Sequence, residues 1–233
     1  MRYLIICFAF ALLSIDLSGQ DFNYTVSKDS VAWQELNSQT IVNNTASTFQ
    51  PSYRIPLGFT FNYLGRNFDS LTIEKSGLIV FDSERQFCFW GLIGYSDAVD
   101  SLGNHSVLGY ELSGAPGNRE LVIQFKNVAT PDRPDKLVSY QVHFNENRSI
   151  EFIMGNYSPS AAPVIGESVL PDIPESIVIG LVNQNMDTPT RALTISETNP
   201  AQVAVLVDNN HPDLTYLTDL PSPGIRFVFN AAY

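Results

Sequence analysis

The chain has 233 residues, with 13 lysines and arginines against 24 aspartates and glutamates and a net charge of −11. An acidic chain of this kind repels phosphate backbones, which argues against nucleic acid and anionic membrane surfaces as partners. Two cysteines are too few for a disulfide scaffold, whereas 15 Phe and 10 Tyr supply the bulk for a sizeable core.

Arg2 precedes a continuous apolar run from Tyr3 to Leu13, and small or polar residues follow at Ser14, Ser18 and Gly19. The run is too short to span a ~30 Å hydrocarbon layer as a helix. The pattern predicts a secretory signal peptide over residues 1–19, cleaved before Gln20 or Asp21, and a single domain over 20–233. No later run reaches transmembrane length, so no transmembrane segment is expected. Cleavage would remove Cys7 and leave Cys88 without a disulfide partner in the chain.

From Phe22 onward the hydrophobic period is 2, not 3.6. Strands are expected near Phe22–Val26, Ala32–Leu36, Ile55–Phe61, Leu71–Glu74, Leu78–Phe81 and Gln86–Trp90. Further strands are expected over Val107–Ser113, Arg119–Val128, Val138–Phe144 and Ile150–Met154. The last four fall at Ile177–Asn183, Arg191–Ile195, Val203–Val207 and Ile225–Phe229. In the clearest cases Leu121, Ile123 and Phe125 share one face, as do Val138, Tyr140, Val142 and Phe144. Asn145-Glu-Asn-Arg148 and Gly114-Ala-Pro-Gly-Asn118 read as hairpin turns. Four prolines between Ser158 and Glu175 mark a long surface excursion. So many short strands predict an all-β, antiparallel β-sandwich, jelly-roll-like in wiring.

Ile55-Pro-Leu-Gly-Phe-Thr-Phe-Asn-Tyr-Leu-Gly65 followed by Leu71-Thr-Ile-Glu-Lys-Ser-Gly-Leu-Ile-Val-Phe81 carries a family signature. It resembles the "I-x-L-G-F-x-F-x-Y-x-G … N-G-x-I-x-F" pattern of secreted Bacteroidetes-type extracellular β-sandwich domains, with wording similar to nidogen-like domains. The likeness continues through Asn104–Gly114, Gly117–Arg119, Val122–Val128, Tyr140–Phe144 and Ser149–Gly155. It implies an extracellular sandwich of the kind found at the N-terminus of type IX-exported surface proteins, and it implies no catalytic residues. Ser76 departs from the pattern's asparagine, and no sorting domain follows the sandwich before Tyr233, which leaves surface attachment, periplasm and release all open. Asp29-Ser-Val, Asp69-Ser-Leu and Asp100-Ser-Leu resemble the O-glycosylation motif of such proteins, making Ser30, Ser70 and Ser101 candidate sugar acceptors.

Candidate sites are sparse. Asp97, Asp100 and Asn104 offer oxygens for calcium on one loop, although a polar turn explains the same residues. His105, His143 and His211 form no spaced metal pair, and alternation sends His143 to solvent. Trp90 and Tyr95 stand beside Phe87 and Phe89 at one strand end, where rings can stack on a ligand or fill the core. No nucleophile elbow, zinc-protease motif or phosphate loop occurs. These features favour a secreted, non-enzymatic binding or adhesion module whose ligand is a glycan or another surface protein. The alternatives are a glycoside-processing enzyme on the same scaffold and a structural subunit of a surface assembly. Composition and motifs leave the oligomeric state undetermined.

Overall fold

A computed structural model describes residues 24–43, 52–74, 77–83, 86–92, 105–130, 133–157, 179–183, 191–195, 202–205 and 220–231. In chain order the strands are β1 (Tyr24–Ser30), β2 (Thr40–Asn43), β3 (Ser52–Tyr63), β4 (Arg66–Glu74), β5 (Leu78–Val80), β6 (Phe87–Trp90) and β7 (Val107–Ser113). There follow β8 (Glu120–Thr130), β9 (Arg133–Asn145), β10 (Ile150–Tyr157), β11 (Gly180–Asn183), β12 (Arg191–Thr194), β13 (Gln202–Val205) and β14 (Ile225–Ala231).

They form two seven-stranded sheets, ordered β1-β14-β10-β9-β8-β7-β2 and β13-β12-β11-β6-β5-β4-β3, with antiparallel neighbours throughout. The sandwich read from the alternation is present. Within it, β3 to β6, β7 to β10 and β11 to β13 each run as a meander within one sheet. Short connections such as those at 114–118 and 146–149 keep consecutive strands side by side.

The core is aromatic and lies between the sheets. Phe144 of β9 meets Phe61, Phe81 and Phe89 of the facing sheet edge-on, at centroid distances of 5.6, 5.6 and 6.4 Å. Tyr63 stacks on Phe81 at 4.5 Å, and its hydroxyl donates to the Cys88 carbonyl at 2.7 Å. Edge-to-face and offset-stacked pairs of this kind add to the area that each ring buries. Cys88 itself is buried on the opposite face of its strand from Phe87 and Phe89.

The Pro56–Tyr63 stretch is scaffold. Phe59, Phe61 and Tyr63 point inward, and the β3–β4 register shifts between Pro56 and Phe61. Gly58 sits in that bulge at φ +78°, with Leu112 of the facing sheet packed where a Cβ would stand. Arg119 spans the same end. It pairs with Glu146 and donates from Nη1 to the Gly58 carbonyl, so the 114–118 turn, the 146–149 turn and the β3 bulge are tied together.

Candidate functional site

β1 and β2 occupy opposite edges of the first sheet, so the residues between them must cross that sheet's outer face. Val31–Gln39 makes this crossing as a strap. Here the structure corrects the sequence: Ala32–Leu36 alternates like a strand but is not one, and the strand lies further on, at Thr40–Asn43. The segment meets no free sheet edge on its path. Its main chain is therefore bonded partly by side chains.

The strap is fixed at successive strands. Val31 donates its N–H to the Gly224 carbonyl at 2.8 Å, just before β14. Trp33 lies over Gly155 of β10, its ring 2.8 Å from where a Cβ would be. The Gln34 carbonyl accepts from Gln141 Nε2 of β9 at 2.9 Å. Leu36 donates its N–H to Gln124 Oε1 of β8 at 3.0 Å, and Glu35 pairs with Lys126 at 2.6 Å. Gln39 then fills the space that Gly109 of β7 leaves open.

Beneath and beside the strap, strand register aligns outward side chains into rows. One row reads Asp29, Arg226, Ile153, Gln141, Gln124, and the next Val228, Glu151, His143, Val122, Glu111. Gln124 and Gln141 are 0% and 4% exposed, which is affordable because both amides are bonded. Gln141 Nε2 also donates to Gln124 Oε1 at 2.8 Å, and its Oε1 faces His143 Nε2 at 3.1 Å. His143 Nδ1 lies 2.7 Å from Glu120 Oε1. That bond to His143 holds the Glu120 carboxyl below its ordinary range, against the opposing effect of burial. Arg226 bridges Asp29 and Glu151 at 2.6 and 3.1 Å, and its hydrogen bond with Asp29 lowers the aspartate.

Strap and sheet enclose a cleft of about 480 Å³. Val122 and Ile153 form apolar floor, while Glu111, Glu120, His143, Glu151 and Arg226 supply donors and acceptors. Such a cleft suits a ligand rich in hydroxyl or amide groups. A second, shallower hollow of about 610 Å³ is lined by Arg54, Phe59, Asp69, Ser70 and Arg119.

The residues singled out from sequence fall largely elsewhere. Asp97, Asp100, Asn104, Tyr95 and Ser101 lie outside the described residues. So does the Trp90 side chain, although its backbone ends β6. Among the described residues no group of three or more His, Cys, Asp or Glu could hold a metal ion. Ser30 is exposed at the end of β1. Ser70 Oγ donates to Asp69 Oδ1 at 2.9 Å and accepts from Arg54 Nη2 at 2.9 Å. His143 does lie on the polar face of β9, as alternation requires. It is not a free solvent-facing residue, however, because its side chain is only 14% exposed and each ring nitrogen faces an oxygen, Glu120 Oε1 at 2.7 Å and Gln141 Oε1 at 3.1 Å.

The cleft escaped sequence reading because alternation assigns a face but not what covers it. The signal that could have found it is modest. Glu120, Gln124, Gln141 and His143 are long polar side chains on neighbouring strands, alternating with core residues.

No helix of the described residues is long and apolar enough to cross a membrane. A family model described as NIDO related matches residues 23–212, the greater part of the chain. No curated protein and no solved structure matches it.

Proposed function

The chain belongs to the NIDO-related family, and from that premise we propose that it is a secreted, non-enzymatic binding module of the extracellular kind. Its ligand is a glycan or another surface protein, taken up on the outer face of the first sheet. The observation that carries this reading is the strapped cleft, with Glu111, His143 and Glu151 aligned in one cross-strand row beside an apolar floor.

The bonding of Glu120 and Glu151 supports binding over glycoside hydrolysis. A general acid in that chemistry needs a raised pKa, whereas Glu120 is lowered by its bond to His143. Glu151 is engaged by Arg226 and by Asn145 Nδ2 at 3.2 Å.

A glycan array probed with residues 20–233 tests the proposal. The expected result is a small set of related hits that Glu111→Ala weakens. Silence across the array, together with a clean monomer by light scattering, would overturn it.

One observation favours a second reading, a structural subunit. Residues 24–43 supply both outer strands of the first sheet, β1 and β2, so this arm could complete a neighbour's sheet instead of its own. Concentration-independent monomer mass would remove that reading.

A further inference from the structure

The hydrogen bonds under the strap have a fixed direction. Leu36 N–H can only donate, so the Gln124 atom that it meets at 3.0 Å is the carbonyl oxygen. The Gln34 carbonyl can only accept, so the Gln141 atom facing it at 2.9 Å is the amide nitrogen. That nitrogen serves Gln124 Oε1 as well, and the Gln141 oxygen is thereby turned toward His143 Nε2. The backbone of the strap thus sets the orientation of both glutamines.

His143 now faces an acceptor from each ring nitrogen, the Gln141 amide oxygen at 3.1 Å and the Glu120 carboxylate at 2.7 Å. Both contacts are hydrogen bonds only when the ring carries both protons. A neutral ring keeps one proton, and the charge-assisted bond to the carboxylate is the stronger claim on it. Nε2 is then a lone pair set against the Gln141 oxygen. Gln141 must turn or withdraw, either movement breaks its bonds to Gln34 and Gln124, and the strap so loosened lifts the Leu36 N–H from Gln124 Oε1.

We propose that His143 and Glu120 form a proton-dependent latch on the strap, closed while the ring holds both protons and released when it loses one, so that the cleft opens as pH rises. The other charged groups around the ring are Glu151 from β10, Glu111 from β7, Arg226 from β14 and Glu35 from the strap itself, all lining the same cleft. Arg226 is itself held by Asp29 and Glu151. That the latch governs a ligand rests on the reading given under Proposed function.

The test is residue-resolved amide exchange at Leu36 in the mature chain, between about pH 5.5 and 8, the span in which imidazoles change charge. Wild-type protection, corrected for intrinsic exchange, should fall about tenfold across that span, the loss of roughly one net hydrogen bond. Glu120→Gln should abolish the fall. Its amide can donate to Nδ1 of a neutral ring, which leaves the proton on Nε2 for Gln141 and keeps the strap shut. Should that variant not fold, His143→Gln serves, because a side chain that cannot titrate must give pH-independent protection. Flat wild-type protection, or a fall that persists in either variant, overturns the latch. Ligand hits combined with flat Leu36 protection would sink the latch alone. A pH-dependent Leu36 with a silent array and a clean monomer by light scattering would sink the binding reading alone.

Discussion

The ring of Trp33 occupies the space where a side chain at residue 155 would begin: a Cβ built on Gly155 falls 2.8 Å from two of its carbons and 2.7 Å from the Ser139 carbonyl oxygen. The strap can lie flat on β10 only because that position is glycine. Gly155→Ala should therefore cost about 1–3 kcal/mol by overpacking and raise amide exchange at Leu36. Urea unfolding gives the first quantity and exchange the second. In the Gly155→Ala, Trp33→Ala double variant the two costs should not add, since the ring that clashes is gone. Strict additivity would mean that the ring and the glycine do not touch.

Gly58 presents a different constraint. A Cβ there would meet Leu112 Cδ2, but Leu112 is 46% exposed and its side chain can swing away. The φ of +78° cannot be relieved so easily. Gly58→Ala is expected to destabilise by about 1–3 kcal/mol through backbone strain, and adding Leu112→Ala should restore little of it. Substantial rescue in thermal unfolding would show that the clash, and not the dihedral, dominates.

Phe144 is the ring on which the two sheets meet. It is fully buried and in edge contact with Phe61, Phe81 and Phe89. Truncating it to alanine should cost about 3–5 kcal/mol, a large fraction of the stability of a typical domain. Leu112→Ala, at a half-exposed site, should cost far less. A Phe144→Ala midpoint within experimental error of wild type would contradict the packing described.

Acid should act through Glu146. Bonds from the Arg119 side chain, the Arg119 N–H and the Gly117 N–H hold its carboxyl at about 2, below the ordinary 4.5. The value in the folded chain is the lower one, so the stabilisation is complete above pH 4.5 and is lost as pH falls toward 2. Between those limits Glu146→Gln should show a shallower decline in denaturation midpoint than wild type. Asp29 and Glu120, also lowered, leave a residual slope in both. Parallel slopes for the two proteins would mean that Glu146 does not carry the effect.

The sequence by itself determined the class of fold and the composition of the core. Alternation in Leu121–Phe125, Val138–Phe144 and Ile150–Met154 assigns each residue to a face because successive side chains on a strand point in opposite directions. That is local physics, and the structure buries every position assigned to the core, but it also buries Gln124, Ser139 and Gln141 on the face that alternation gave to water. At Gly58 the β3–β4 register shifts and the backbone takes a positive φ, a conformation that a glycine among β-formers permits. Ala32–Leu36 shows where such reasoning stops. It has the period of a strand, but a strand also needs a partner edge, and the edges are allotted by the whole sheet. With β1 and β2 placed at opposite ends, the intervening chain had to cross the outer face. Only that tertiary arrangement brought Gln124, Gln141, His143 and Glu120 together under a cover and turned a polar face into a cleft. Their chemistry depends on residues up to 107 positions apart in the chain, a separation at which sequence spacing carries no geometric information.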